Sequence, residues 1–384
     1  MDQRKVTLLT LLDFSKAFNT INHDILIMKL QCMFHFSETP VKWLTSCLHG
    51  RQQSVMMGSI VSECCAVNAG VPQGSILGPL LFSMYINDLV TSLKFCKYHL
   101  YADDLQIYTS AHITNINLLI GHMNIDLCSI LDWCTANGLK INPKKSQAIV
   151  VGSPYFINSV DYAGLDDVKV GSAVISLCPK VKNLGVEFDE TLSWSAQCTK
   201  ICQNVNGCLH SLRKLKRFLS VNVKQILVQS LVFHHFNYCD IVFSNLNEKL
   251  QSKLQKLQNS CVRYIFGLKK HDHVTPFYDK LNWRKLKDSR KLKSLLMVHS
   301  TLAVSQPRYL RCQFQFIKDK HSRITKSSAS NMLAIPKFKT QNFAQSFIVS
   351  ASQGWNQLPA SARNMTSKQA FKKFILKLIG QNAQ

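Results

Sequence analysis

The chain has 384 residues, 46% of them hydrophobic, so it can bury a real core and divide into two or three domains. It carries 46 Lys and Arg against 22 Asp and Glu, a formal net charge of +24, which points to a polyanionic partner. Fourteen scattered Cys without a secretory signal argue against a disulfide scaffold and for free thiols in a reducing compartment, so an intracellular place, cytoplasmic or nuclear, is expected. The longest apolar stretch, Ser75–Val90, is broken by Pro79, Asn87 and Asp88 and falls short of the ~20 residues a membrane span needs, so no membrane partner is expected.

Val6–Leu12 is an apolar run of strand length that ends at Asp13. Helix signals follow: Asn22 or Asp24 near a start, then Ile25, Met28, Leu30 and Met33 at roughly helical spacing. Ala69-Gly70-Val71-Pro72-Gln73-Gly74-Ser75 reads as a tight loop that lets backbone approach a ligand closely, and Gln73 projects from it with a donor and an acceptor. An apolar helix is predicted to start near Ser75. Cys96–Leu100 and Leu105–Tyr108 read as two strands of a hairpin with Tyr101-Ala102-Asp103-Asp104 at its tip. Two neighbouring carboxylates repel, and a divalent cation is the usual remedy. If the strand before Asp13 pairs with this hairpin, Asp13 and Asp103 converge, as two-metal phosphoryl chemistry requires.

These segments, taken in order, resemble the palm motifs of reverse transcriptases. Leu11-Leu12-Asp13-Phe14-Ser15-Lys16-Ala17-Phe18, Gly70–Ser75 with Leu77–Phe82, and Tyr101–Asp104 are followed by Gly138–Ser146 and by Asn183-Leu184-Gly185-Val186-Glu187-Phe188-Asp189. The wording is most similar to LINE-type (non-LTR) retrotransposons of the jockey and chicken-repeat kind, and five motifs in order are far more specific than one. The resemblance implies that Asp13, Asp103 and Asp104 are catalytic and hold two Mg²⁺ ions, with Mn²⁺ as the alternative, Asp104 being the less direct ligand. It implies that Phe18, Gln73 and Lys145 bind the incoming nucleotide, and that Leu184, Gly185 and Val186 grip the primer. It further implies an RNA template, a DNA primer and a deoxynucleoside triphosphate as partners. The common family wording has Asp where this chain has Asn19, a position not carried over as catalytic. Only twelve residues precede Asp13, so a fingers region is expected to be missing and the chain truncated.

Charge divides sharply along the chain. Residues 1–192 hold 14 Lys and Arg against 16 Asp and Glu; residues 193–384 hold 32 against 6. Arg213, Lys214, Lys216 and Arg217 form one dense cluster, with Phe218 beside it, the footprint of a nucleic-acid-binding surface. Leu250, Leu254, Leu257, Cys261 and Tyr264 predict an amphipathic helix from about Asn247 to a stop at Gly267. Val223–Phe233 and Trp283–Val298 are further helix candidates. Cys198, Cys202, Cys208 and His210 do not match standard zinc spacings and read as core cysteines. Ser322–Ser330 reads as a polar linker. Trp355-Asn356-Gln357-Leu358-Pro359 sits between two apolar stretches, Phe343–Trp355 and Phe371–Ile379, and has no evident chemical role.

The expected fold class is therefore α+β: a polymerase palm made of a small antiparallel sheet with packed helices, then a basic, mostly helical thumb and C-terminal region. The expected boundaries are a palm over 1–195, a thumb-like region over 196–300 and a C-terminal region over 301–384. The expected function is that of an RNA-directed DNA polymerase, with a catalytically inactive nucleic-acid-binding remnant as the alternative.

Overall fold

A computed structural model describes residues 3–320 and 331–381. The linker expected at Ser322–Ser330 lies outside the described residues. The chain forms two compact units, Arg4–Gly185 with Asp189–Leu192, and Met1–Gln3 with Val186–Phe188 and Ser193–Gln384.

The first unit is built on a four-stranded antiparallel sheet ordered Lys97–Tyr101, Asp104–His112, Lys5–Leu12, Gln147–Val151. Lys5–Leu12 is central. Its Val6, Leu8, Thr10 and Leu12 are buried on one face, the period of two expected of a strand. The long helix Ile116–Ala136 packs there, burying Leu119, Ile120, Met123, Leu127, Ile130 and Cys134. Inside that helix the Asp126 carboxylate accepts hydrogen bonds from the backbone N–H groups of Lys94, Phe95 and Cys96 (2.7–3.0 Å). It thereby fixes the chain just before the edge strand Lys97–Tyr101, because a buried carboxylate must find donors.

Two helices flank the Gly70 loop in this core, beside Glu38–Leu48, which buries Leu44 and Leu48. In His23–Cys32 the Asn22 side chain accepts from the Ile25 N–H, the N-cap the sequence signals. Leu77–Ile86 begins just after the predicted start, and the Ser75 hydroxyl accepts from the Gly78 N–H. The two helices are joined by a buried ion pair that sequence patterning does not show. Lys29, only 4% exposed, donates to Asp88 (2.6 Å) and to the Tyr85 carbonyl (2.9 Å). Its ammonium lies over the Tyr85 and Trp133 rings, and the Trp133 indole donates to the other Asp88 oxygen (3.2 Å). Burial lowers the Lys29 pKa despite the opposing pull of Asp88.

The second unit is helical. Glu248–Phe266 matches its predicted bounds: Asn247 accepts from the Leu250 N–H, and Gly267 ends the helix at φ +71°. Val223–Phe233 is instead two helices, Val221–Leu231 and Phe233–Asn237. The helix predicted over Trp283–Val298 runs over Leu286–Val304, with Trp283 buried ahead of it against Phe233. Cys198 and Cys202 lie buried along Ser195–Lys214. Among the described residues no helix is long and apolar enough to cross a membrane.

The Trp355–Pro359 segment acquires a structural role. Trp355, Leu358 and Phe371 are buried together, and the Trp355 indole donates to the Asn331 carbonyl (3.1 Å). The Asn356 side chain accepts from the Leu333 N–H and donates to the Leu333 carbonyl (2.8 Å each), extending that strand-like segment by one amide. Arg363 closes the turn on the Asn356 and Leu358 carbonyls.

Because half of the Lys29–Asp88 pair cannot be removed without leaving the other charge in a poor environment, Lys29→Met is expected to destabilise the first unit by about 3 kcal/mol. The measurement is a chemical denaturation midpoint, lowered with an unchanged slope.

Candidate active site

The site follows from strand register. Leu12 lies opposite Leu105, so the next residue, Asp13, emerges beside Asp104. On the other edge Tyr101 pairs with Asp104, leaving only Ala102 and Asp103 in the turn. The four-residue tip read from sequence is thus a two-residue turn, and Asp104 is the first residue of a strand. Ala102 carries φ +51°, a conformation that costs a non-glycine residue about 1–2 kcal/mol. A positive φ at the first turn residue is what a tight hairpin of this twist requires.

The segment 138–146 holds Asp13 in place. The Asp13 carbonyl accepts from the Asn142 N–H (2.7 Å), its N–H donates to the Ser146 hydroxyl (3.2 Å), and Ser15 donates to the Lys140 carbonyl. Lys145, itself exposed, stands 3.9 Å from Oδ2 of the half-buried Asp13 carboxylate, beyond hydrogen-bond reach. That distance and exposure make the pair a weak one.

The carboxylates sense one another. The Asp104 pKa is raised, first by loss of hydration and then by the charges of Asp103 and Asp13. One Asp13 oxygen, Oδ2, has no solvent access and no hydrogen-bond partner. Among the described residues no three acidic, His or Cys side chains close on a common point. The chemistry of these donors, carboxylate oxygens, is that of hard divalent cations.

Phe18 and Gln73 are brought together by a close approach of backbones. Gly70 donates to the Ile21 carbonyl (2.8 Å) and Val71 to the Phe18 carbonyl (2.9 Å). A Cβ on Gly70 would lie 2.8–2.9 Å from Asn19 and Phe18 backbone atoms, and its φ is +88°, so only glycine fits. The buried His23 ring is 2.7 Å from the Gly70 carbonyl and holds the same loop. Phe18 stacks on Phe82 at 4.5 Å. Gln73 donates to the Asn19 side chain (3.0 Å). Asn19, which sequence reasoning sets aside, is therefore the residue that orients Gln73. Its amide can accept or donate, whereas a carboxylate could only accept.

Leu184 and Gly185 form a turn in which both have positive φ. Leu184 and Gly185 belong to the first unit and Val186 to the second. Just before the turn, Asn183 accepts from Gln106 (2.9 Å), a buried side chain on the strand that begins with Asp104. Sequence reasoning missed this link, and an isolated Gln carries no signal that could reveal it. Arg213, Lys214, Lys216 and Arg217 lie in the second unit, all exposed, at the end of Ser195–Lys214 and in the turn beyond it.

Residues 1–188 match the reverse transcriptase (RNA-dependent DNA polymerase) family. This part of the chain is a reverse transcriptase domain. The chain is 25% identical over 311 residues to the probable RNA-directed DNA polymerase from transposon BS of Drosophila melanogaster, covering 76% of this chain and 33% of that protein. It is 26% identical over 267 residues to the RNA-directed DNA polymerase from mobile element jockey of Drosophila funebris, covering 67% and 28%. The reverse transcriptase domain is thus of the non-LTR type, and the chain spans about a third of the length of these curated relatives. Among solved structures, telomerase from Candida albicans aligns over 72% of this chain and 49% of its own at 12% identity, with a TM-score of 0.37, too low to establish a common fold.

The raised Asp104 pKa has a consequence for stability. A carboxyl whose folded-state pKa is raised favours the folded state more as pH falls through that value toward the unfolded one, near 3.8. Asp104→Asn is therefore expected to melt higher than the parent at pH 7, with the difference shrinking as pH approaches 4. Melting curves across this range check it, and an unchanged difference would locate the effect elsewhere.

Proposed function

We propose that the chain supplies the palm of an RNA-directed DNA polymerase that extends a DNA primer on an RNA template. The observation that carries this reading is the register of Lys5–Leu12, which sets Asp13 beside Asp104, the residue that follows the Ala102–Asp103 turn. Asp13 and Asp103 would hold two divalent cations, with Asp104 adding negative charge nearby. Such ions lower the pKa of an attacking hydroxyl and offset charge on a departing phosphate. Phe18 would lie under the incoming sugar and exclude a 2′-hydroxyl by bulk. Gln73, held by Asn19, would contact the incoming nucleotide. Lys145, not committed to a strong partner, is free to approach the triphosphate and give a proton to pyrophosphate. Leu184, Gly185 and Val186 would steady the primer end. The second unit would serve as thumb and C-terminal region.

Two measurements test the site. Fe²⁺ in place of Mg²⁺, supplied with hydrogen peroxide and with ascorbate to reduce the Fe³⁺ formed, generates hydroxyl radicals where it binds, so peptide cleavage is expected next to Asp13 and Ala102–Asp104. The Asp103→Asn chain should lose both that cleavage and, in primer extension on an RNA template, at least about 10²-fold of the incorporation, since an amide is a poor metal ligand. Equal incorporation by both chains would assign the activity to another site.

The second reading, a nucleic-acid-binding protein without catalysis, is favoured by one observation, the excess of 32 cationic over 6 acidic residues after residue 192. Neutralising Arg213, Lys214, Lys216 and Arg217 together should weaken RNA binding and reduce the slope of log affinity against log salt by up to ~0.7 for each single-strand phosphate that is no longer neutralised. A salt titration that leaves the slope unchanged would show that this cluster only solubilises.

A further inference from the structure

Gln106 lies two residues beyond Asp104 on the strand Asp104–His112, so the two side chains share one face of the sheet. Leu105 and Ile107 point the other way and are fully buried in the core. Opposite Gln106 stand Leu11 of the central strand, two residues before Asp13, and His99 of the edge strand. Its backbone is thus paired on both sides. A polar side chain so placed, on the face that carries the carboxylates, is fixed at its root.

Gln106 is 8% exposed, and its Nε2 donates to Oδ1 of Asn183 (2.9 Å). Asn183 ends the strand Lys180–Asn183 and directly precedes Leu184 and Gly185, whose φ angles are +44° and +82°. Left-handed backbone is unfavourable for leucine and persists only where the surroundings fix it. Lys180–Asn183 lies against Gln147–Val151 with Val181 buried, and the bond from Gln106 fixes its last residue. All of these residues belong to the first unit. A hydrogen bond between two amides has a direction, whereas an apolar contact at the same place would let the segments slide.

We propose that Gln106 is a positioning residue for the primer terminus. Through Asn183 it holds the Leu184–Gly185 turn at a fixed place relative to Asp104 and Asp13, and so sets where the primer 3′-hydroxyl lies. Neither amide is assigned a contact with a reacting atom, and the inference rests on the polymerase reading of the site. Its physical basis is that a displacement of about 1 Å in a reacting group can cost about 10²-fold in rate. Loosening this strut leaves the carboxylates in place and frees the turn.

The test uses a DNA primer ending in 4-thiothymidine, annealed to an RNA template and bound to the full chain without triphosphate. Long-wavelength light cross-links the terminal base, mass spectrometry maps the site, and the yield is scored per duplex bound. The parent chain is expected to cross-link at the peptide that contains Leu184 and Gly185. Gln106→Met and Asn183→Leu should each lower that cross-link about fivefold, with duplex binding changed by less than about twofold because phosphate contacts elsewhere carry the affinity. In primer extension the same variants should lose about tenfold in kcat, with KM for the triphosphate changed by less than about twofold. Gln106→Met/Asn183→Leu, in which both partners are apolar, should recover the melting temperature that each single variant loses but not the cross-link. Asn183→Asp, which keeps the acceptor, should retain the cross-link. Recovery of melting temperature and cross-link together in the paired variant would overturn the positioning role and leave one of packing only. A parent cross-link away from the turn, or single variants that leave it unchanged, would overturn it as well. Failure of the polymerase reading shows separately, as equal incorporation by the parent and Asp103→Asn chains; the cross-link, which needs no catalysis, still decides what holds the primer end.

Discussion

The central strand Lys5–Leu12 is the constraint on which the candidate site depends. It is hydrogen-bonded on both edges, to Asp104–His112 and to Gln147–Val151, and both pairings are antiparallel. A slip of one residue would exchange its buried and half-buried faces, so the apolar alternation of Val6, Leu8 and Leu12 pins the register. Once pinned, the register delivers three things to one end of the sheet: Asp13, the Ala102–Asp103 turn with Asp104 behind it, and the segment 138–146 that grips the Asp13 backbone. Burial first, and the charges of Asp103 and Asp13 second, raise the Asp104 pKa.

Around this sheet the packing works mainly on loops. Gly70 allows the loop carrying Gln73 to press on the Phe18–Asn19 backbone, and His23 holds that loop from below. Lys29 ties the helix before the loop to the helix after it through Asp88 and Tyr85. Tyr85 in turn donates from its hydroxyl to the Asn137 carbonyl, next to the 138–146 segment. Position of the side chains, more than burial, is what these interactions secure. The same linked set makes the site sensitive to changes far from any carboxylate.

The second unit follows other rules. Its buried face is apolar at helical spacing, as in Leu254, Leu257, Cys261 and Ile265, and its cations are spread over exposed faces. Against that pattern Arg290 stands out as a cation placed inside. The Trp355–Pro359 segment, by contrast, is explained without chemistry: Trp355 fills core, and Asn356 completes the hydrogen bonding of Leu333.

The sequence by itself determined the central strand, the capped helix Glu248–Phe266, the loop at Gly70 and the acidic hairpin. Each is announced by local signals: alternation, Asn and Gly at helix ends, and turn residues flanked by apolar runs. The division of charge was likewise legible by counting. Tertiary structure alone decided that Asn19 holds Gln73, that Gln106 meets Asn183, that Lys29 is buried against Asp88 and Trp133, and that Arg290 is buried with its terminal nitrogens unpaired. These interactions join residues tens of positions apart in the chain, or turn an amphipathic residue inward. Lone Gln, Asn, Lys and Arg side chains carry no periodicity, because their polar ends are equally at home in solvent. Which of them is captured is settled only when the backbone closes around it.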